Sequence, residues 1–357
     1  MRKALIAIAL IAALAAAIGY VERGAIATRL MEAGLREAMQ TDLVSKLPDG
    51  LTVALCGAGS PMPDPNRSGP CVLVVAGQTV LVVDAGGGSA RNVNRLGVRA
   101  GAISAVFLTH FHSDHIDGLG ELAMNRWVGA AHTEPLPVFG PDGVADVVAG
   151  FNAAYRLDAS YRTAHHGPSV APPQGAGLTA HAFSAPGDGS AVEVWRDGDV
   201  RVRAFAVDHR PIVPAVGYRI DYRGRSVAIS GDTVKSAAVA QNAKGADLLV
   251  HEALSRPLVA LINRVATEAG NASLAKITHD IPEYHTTPVE AAEIAADAGV
   301  KALLLDHIVP PLRVPGLEAV FLDGVAERYR GTVVLGRDGT LVTLPSGSAE
   351  VRVSNAF

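Results

Sequence analysis

The stretch that decides the fold reads THFHSDHIDGL and spans residues 109–119. It places His110, His112, Asp114 and His115 within six residues. The apolar run before it, residues 105–108, predicts a buried β-strand, and the glycine-containing stretch after it predicts a turn into a helix. The cluster would then lie at the carboxyl end of a strand, where open α/β sheets place their sites. Imidazoles with a carboxylate favour Zn²⁺ or a neighbouring transition metal over Ca²⁺ or Mg²⁺; the alternative is a histidine-rich surface loop.

Later strand ends carry further side chains that can bind a metal. Four predicted β-strands are each followed within two residues by such a side chain: His209, Asp232, the pair His251 and Glu252, and His307. Any one of them alone is more often a surface or capping residue than a ligand. Five strand ends with the same chemistry, counting the opening cluster, predict one assembled site.

The remaining pattern indicates the fold class. From residue 51 onward, short β-branched runs ending at glycine or proline alternate with helical patterns. Strands interleaved with helices, together with hairpins, predict an α/β or α+β domain with mixed sheets. Residues 143–154 predict a helix, and residues 156–189 predict a loop-rich insertion because they carry proline, glycine and histidine with little periodicity.

Taken in order, the motifs resemble those of the metallo-β-lactamase superfamily, and within it the branch of ribonuclease Z and related arylsulfatases. The resemblance covers about residues 50–345 and rests on LCGAGSP at 55–61, VVDAG at 82–86, HFHSDH at 110–115, VFGP at 138–141, DH at 208–209, GYRI at 217–220, SGDT at 230–233, HEA at 251–253, HTT at 285–287 and DH at 306–307. It implies an α/β fold of the αββα-sandwich type, with two mixed β-sheets packed face to face and helices on the outer faces. It also implies that Asp84 supports the metal ligands from behind.

The resemblance implies a two-metal site. Two zinc ions, with Mn and Fe as alternatives, would be held by His110, His112 and His209 for the first, by Asp114, His115 and His307 for the second, and by Asp232 as a bridge. A dizinc pair about 3.5–4 Å apart can share one hydroxide and stabilise both attacking and leaving oxygens.

Three residues are expected to be catalytic. Asp114 is placed to accept a proton from the attacking hydroxide. In the ribonuclease Z branch the motifs that HTT and HEA resemble flank the phosphoryl group and assist the leaving oxygen. We therefore expect His285 to contact an anionic substrate oxygen and Glu252 to orient His285. The alternative for His285 is a solvated position beside a helix cap.

The N-terminus predicts export. Arg2 and Lys3 precede an uncharged run of 18 residues, 4–21, just long enough to cross a bilayer. We expect residues 1–21 to form a membrane anchor or signal segment, 22–49 an amphipathic helix and linker, and 50–357 the hydrolase domain. The basic N-terminus would stay cytoplasmic, which places the hydrolase in the cell envelope, anchored in the inner membrane and facing the periplasm, or exported. A cleaved signal peptide and a buried N-terminal helix are the alternatives.

The two cysteines fit an oxidising compartment. Cys56 ends one apolar run and Cys71 opens the next. If these runs are neighbouring strands, the two Cα atoms can lie within the ~4.4–6.8 Å that a disulfide needs. We predict that they pair; two buried thiols are the alternative.

Net charge and the expected export limit the classes of substrate that we expect. The net charge is −4, and residues 121–205 carry nine acidic residues against six arginines. This balance argues against a tRNA 3′-processing enzyme, which needs a basic surface for phosphates, so nucleic acid is not expected as a partner. We expect a hydrolase that uses the metal-bridging hydroxide to cleave a small-molecule ester, either an aryl sulfate or a phosphodiester. The alternatives are a ribonuclease Z-like endoribonuclease, a lactone or β-lactam hydrolase, and a non-catalytic binding protein; a homodimer is an open option.

Overall fold

The computed structural model describes residues 2–40 and 42–357. The helices are α1 (Arg2–Val21), α2 (Arg23–Gln40), α3 (Leu43–Lys46), α4 (Ser89–Arg95), α5 (Ser113–Ile116), α6 (Leu119–Ala130), α7 (Val144–His166), α8 (Ala237–Ala243), α9 (Arg256–Glu268), α10 (Ala272–Asp280), α11 (Pro288–Ala298), α12 (Leu317–Phe321) and α13 (Val325–Arg328). The strands are β1 (Gly50–Gly57), β2 (Cys71–Ala76), β3 (Thr79–Val83), β4 (Ile103–Phe107), β5 (Leu136–Pro141), β6 (Leu178–Phe183), β7 (Ala191–Asp197), β8 (Val200–Ala206), β9 (Val216–Tyr222), β10 (Arg225–Ile229), β11 (Leu248–Leu254), β12 (Ala302–Val309), β13 (Thr332–Leu335), β14 (Thr340–Pro345) and β15 (Arg352–Asn355).

These strands form two mixed sheets within the described ranges. The first has eight strands in the order β15-β14-β1-β2-β3-β4-β5-β6, and the second has seven in the order β13-β12-β11-β10-β9-β8-β7. In the first sheet β3 to β6 run parallel, and the other neighbours are antiparallel. In the second sheet β10 to β13 run parallel, and β7 to β10 alternate in direction.

An apolar core joins the two sheets face to face. Leu55 and Phe107 from the first sheet meet Tyr218 and Leu304 from the second, and all four are fully buried. Burying a side chain of this size contributes roughly 1.5–3 kcal/mol. The Tyr218 hydroxyl also donates a hydrogen bond of 2.6 Å to the Leu108 carbonyl, which ties β9 to the end of β4.

Helices cover the outer faces of both sheets. α8 and α11 bury Val239 and Ala295 with Leu303 of the second sheet, and α4 and α6 bury Ala90 and Leu122 on the side of the first. The predicted αββα sandwich of two mixed sheets is therefore confirmed.

The directions of the strands place the predicted site residues at one edge of the second sheet. β8 and β10 are both antiparallel to β9, and β11 and β12 run parallel to β10, so these four strands end at the same edge of the second sheet. The first sheet contributes the end of β4, because the Val216 amide at the start of β9 donates to the Thr109 carbonyl at 3.0 Å.

The structure of the N-terminal segment contradicts the predicted membrane anchor. The chain divides after Leu43 into two compact units, of which the first holds α1 and α2 and the second holds both sheets. Across 2–40 and 42–357, none of the helices combines the length and the apolarity that crossing a membrane requires. The predicted membrane anchor over residues 1–21 and the inner-membrane location are therefore wrong. An uncharged run of 18 residues is barely long enough to cross a bilayer, so its length gave only weak support for a membrane anchor. The other predicted boundaries remain predictions.

The insertion is more regular than the sequence predicts. α7 continues to His166, so residues 156–166, predicted as loop, are helical. Within this helix Val144 and Val148 are the buried residues. Because so little of α7 faces a core, its sequence lacks the apolar stripe that identifies a helix.

The predicted disulfide between Cys56 and Cys71 is present. It joins the end of β1 to the start of β2, with the two Cα atoms 5.0 Å apart. The bridge closes the connection between these strands, which forms one wall of the cavity beside Asp114.

Candidate metal centre

The side chains predicted as metal ligands lie in one cluster at the shared edge. His110, His112, His209 and Asp232 form one group, Asp114, His115 and His307 a second, and Asp232, His285 and His307 a third, with potential ligand atoms in each group within 4.8 Å of one another. Asp232 and His307 each belong to two groups, so the three groups form one continuous centre. The sequence assigned His285 to the substrate, whereas the structure places it close enough to be a ligand as well.

Asp232 occupies the middle of the centre. Its Oδ2 lies 3.3 Å from Nε2 of His115 and of His307, and 3.9 Å from Nε2 of His110 and of His209. One carboxylate thus approaches imidazoles from both predicted ligand sets. This is the placement that a bridge between two cations requires.

An irregularity in β12 aims His307 into the centre. Its backbone has φ of 43°, in the left-handed region, and the pairing of β11 with β12 skips it. A bulge of this kind redirects one side chain without ending the strand. The Nε2 of His307 consequently lies 3.3 Å from Asp114 Oδ2. The unfavourable backbone conformation costs ~1 kcal/mol or more, which is typical of functional positions.

Asp84 supports the centre from behind, as the resemblance implies. Its Oδ2 lies 2.8 Å from His115 Nδ1, and it accepts hydrogen bonds of 2.8 Å from the amide and from the hydroxyl of Thr109. Such a contact fixes the histidine tautomer and leaves Nε2 free to bind a metal. Thr109 also lies 3.1 Å from His110 Nδ1, a role that sequence reasoning missed. Its position directly before the histidine motif is the signal that was available.

His209 is oriented by the main chain. Its Nδ1 lies 3.0 Å from the carbonyl oxygen of Tyr284, so Nε2 faces the centre. A backbone carbonyl leaves no residue signature, and no sequence pattern could have identified it.

Glu252 and His285 meet as the sequence predicts. Glu252 Oε1 lies 3.2 Å from His285 Nδ1 and accepts hydrogen bonds from the amides of Thr286 at 2.8 Å and Thr233 at 3.4 Å. The His285 ring stacks on that of His307, with centroids 5.4 Å apart. Glu252 therefore fixes the His285 ring at the edge of the centre.

The charges in the centre shift one another's pKa values. Burial opposes protonation, yet Asp232 and its neighbouring carboxylates raise the pKa of His115 well above its usual range and that of His307 to about 9. Burial likewise opposes ionisation of Asp232, but His307 and His115 hold its pKa well below its usual range. At His110, burial together with the charge of His115 prevails and lowers the pKa. The centre as a whole favours positive charge beside Asp232.

Three buried atoms test whether a cation fits this centre. His115 Nε2, His209 Nε2 and Asp232 Oδ1 have no hydrogen-bond partner in the part of the chain that the structure describes. Buried polar atoms without partners are rare in native proteins. Imidazole nitrogens and carboxylate oxygens with free lone pairs are the ligands that Zn²⁺ and similar divalent ions take, so the donor set fits.

The comparison with known families agrees with this chemistry. The profile of the Beta-lactamase superfamily domain matches residues 79–308. This chain belongs to the beta-lactamase superfamily. It is a hydrolase of the metallo-β-lactamase fold, and its histidine and aspartate clusters fit divalent metal ions.

Similar proteins place this superfamily member near ribonuclease Z. Ribonuclease Z of Mycobacterium avium (strain 104) is 40% identical over 290 residues, which cover 81% of this chain and 96% of the relative. Ribonuclease Z of Mycolicibacterium gilvum (strain PYR-GCK) is 38% identical over 290 residues, or 81% of this chain and 94% of the relative. The solved structure of human tRNase Z, short form, superposes with a TM-score of 0.59 at 21% identity, covering 82% of this chain and 99% of that one. A metallo-β-lactamase fold protein of Bacillus subtilis gives a TM-score of 0.57 at 22% identity over 82% and 99%; these two show the shared fold.

The relatives overturn the prediction about partners. Proteins named ribonuclease act on RNA, so the expectation that nucleic acid is not a partner is wrong. That expectation rested on the net charge of −4 and on export. Net charge does not show how charges are distributed around one site. The other predicted partner, a membrane bound through the N-terminal segment, is contradicted by the helices of the described ranges.

Proposed function

We propose that this protein is a metal-dependent endoribonuclease of the ribonuclease Z type. It would hydrolyse one phosphodiester bond at the 3′ side of precursor tRNA. The observation that carries the proposal is 40% identity to a ribonuclease Z over 96% of that protein's length. These relatives favour RNA over an aryl sulfate as the substrate.

The assembled centre would hold two zinc ions. His110, His112 and His209 would bind the first, Asp114, His115 and His307 the second, and Asp232 would lie between them, in line with the grouping of these side chains. Bound zinc supplies Lewis acidity, which polarises a phosphoryl oxygen and lowers the pKa of water.

Three side chains would carry the proton transfers and the positioning. Asp114 lines an open cavity, and its carboxylate can accept a proton from the water that attacks phosphorus. His285, whose ring stacks on that of His307, can give a proton to the leaving ribose oxygen as its bond to phosphorus breaks. Glu252 is a positioning residue, because it is buried and contacts His285 Nδ1.

The test uses three substrates with the full chain. Precursor tRNA with a 3′ trailer, bis(p-nitrophenyl) phosphate and p-nitrophenyl sulfate are each incubated with the enzyme, with and without EDTA. We expect one EDTA-sensitive cut that releases the trailer. Asp114→Ala should lose this cut, and Asp146→Ala, an exposed control on α7, should retain it. Turnover of the aryl sulfate with the precursor left intact overturns the proposal.

A further inference from the structure

Two cavities lie side by side next to the metal centre. The first, the entrance cavity, has a volume of about 350 Å³ and is lined by the β1–β2 connection, Arg91, Asp114 and Arg67. Because Asp114 also belongs to the metal centre, this cavity lies beside the proposed site of cleavage. Arg67 also lines the second cavity, so the two cavities share a wall at this residue.

The second cavity, the arginine cavity, gathers three guanidinium groups. It has a volume of about 350 Å³, and Arg67, Arg313, Arg337 and Glu318 are its charged lining residues. The arginines come from three connections: that between β1 and β2, that after β12, and that between β13 and β14. With Asp64, which pairs with Arg67, three positive charges face two negative charges, so the cavity keeps a net positive charge in a chain whose net charge is −4.

Internal contacts hold two of these arginines in place. Arg67 is buried between Asp64 Oδ2 at 3.3 Å and the Gly336 carbonyl at 3.2 Å, and Arg313 donates to the Pro63 carbonyl. A guanidinium has five N–H donors, so each retains donors for a ligand. Arg337 pairs with Glu318, but both side chains are about half exposed, and such a pair yields readily to a stronger anion.

We propose that the arginine cavity binds a backbone phosphate of the RNA strand that is cleaved at the metal centre. The guanidinium fork matches phosphate oxygens in shape and charge. A phosphate contact carries no base information, so the cavity would hold the strand in register for cleavage without selecting sequence. This inference rests on the proposed function and adds to it a second, non-catalytic contact with the strand.

The experiment measures RNA binding separately from cleavage. A fluorescein-labelled single-stranded 12-mer RNA is titrated with the full chain in the Asp114→Ala background, from 50 to 300 mM KCl. Arg313→Gln and Arg337→Gln are compared with Arg264→Gln, an exposed arginine of α9 that lines neither cavity. All three variants lose the same charge. Each variant is also made in the active chain and assayed with bis(p-nitrophenyl) phosphate. This diester has a single phosphate, so it cannot place one phosphate at the metal centre and another in the arginine cavity.

We expect the two cavity variants to weaken RNA binding by about two- to tenfold each at low salt. Each should also reduce the slope of log affinity against log salt by about 0.7, the value for one single-strand phosphate contact. Turnover of bis(p-nitrophenyl) phosphate should stay at the parent rate. The Arg264→Gln protein should match its parent in affinity and slope.

Two results overturn the inference: cavity variants that bind RNA like Arg264→Gln, and cavity variants that lose turnover of the small diester in parallel with RNA binding. Failure of the proposed function has a different signature. In that case the unsubstituted enzyme leaves precursor tRNA intact, whatever the cavity variants do in the binding assay.

Discussion

Asp84→Asn should weaken the binding of one metal at the centre while leaving the fold intact. Asp84 accepts from the Thr109 amide at Oδ1 and contacts Thr109 Oγ1 and His115 Nδ1 at Oδ2. In the variant the Thr109 N–H still requires an acceptor, which fixes the amide oxygen at the Oδ1 position. The amide NH₂ must then face His115 Nδ1 and donate to it. His115 is forced to carry its own proton on Nε2, the atom that faces Asp232 at 3.3 Å.

A protonated Nε2 has no lone pair for a metal, so the second ion loses a ligand. Changes of this kind behind a metal ligand typically cost ~10–100-fold in metal affinity. At 1.4 kcal/mol per factor of ten, this is roughly 1.4–2.8 kcal/mol of binding free energy. The backbone should tolerate the change, because Asp84 has φ of 57° and asparagine adopts this conformation readily.

The assay is zinc content per chain after dialysis against buffers of fixed free zinc. The wild-type chain should give two transitions, and Asp84→Asn should move one of them about 10–100-fold to higher free zinc. Tyr218→Phe is the matched control: it removes the buried hydrogen bond to Leu108 O at 2.6 Å, one residue before Thr109, and touches no predicted ligand. Identical titrations for Asp84→Asn and the wild type, or an equal shift in Tyr218→Phe, would refute the tautomer argument.

Three further predictions follow from single observations. Asp114→Ala should lower RNA cleavage by at least about a hundredfold with a melting temperature close to the parent's; near-normal cleavage would contradict its predicted role. Replacing Cys56 and Cys71 by serine should lower the free energy of unfolding by ~3 kcal/mol, as for a loop of this separation, 15 residues, and urea unfolding that shows no change would exclude this. Asp49→Asn should make the stability of the protein less sensitive to acid. Arg223, Tyr222 and Ser346 lower the pKa of Asp49 in the folded protein from its usual value of 3.8. The stabilisation by Asp49 is therefore present above pH 3.8 and is lost as the pH falls through the lower pKa of the folded state. Thermal melts from pH 7 to pH 2.5 that change in parallel for wild type and Asp49→Asn would contradict it.

The sequence predicted the centre better than its surroundings. His110 to His115 are local, so their spacing alone indicates a metal site, and strand ends supplied His209, Asp232 and His307. The contact between Glu252 and His285 followed from the resemblance and is present at 3.2 Å. His209 and Asp232 were predicted correctly because each follows a strand whose apolar pattern is easy to identify. Glu252 and His307 lie inside β11 and β12, which continue beyond the predicted strand ends.

Other features failed for identifiable physical reasons. α7 was half missed because it buries only its first turns, so tertiary exposure removed the pattern on which a prediction depends. The membrane anchor was predicted from one uncharged run of 18 residues and the two basic residues that precede it. The partner class was predicted from net charge and from export, and net charge does not show that Arg67, Arg313 and Arg337 line one cavity.

The sequence by itself determined the chemistry of this protein: the donor atoms, their attachment to strand ends and the superfamily. Tertiary structure alone decided how these donors act together. The bulge at His307, the Tyr284 carbonyl behind His209 and the approach of Asp232 to four imidazoles depend on backbone groups and on chain direction. Side-chain identities specify which atoms can bind a metal. The folded sheets decide which of these atoms face one another. They bring into contact residues that lie up to 193 positions apart in the sequence, such as Asp114 and His307.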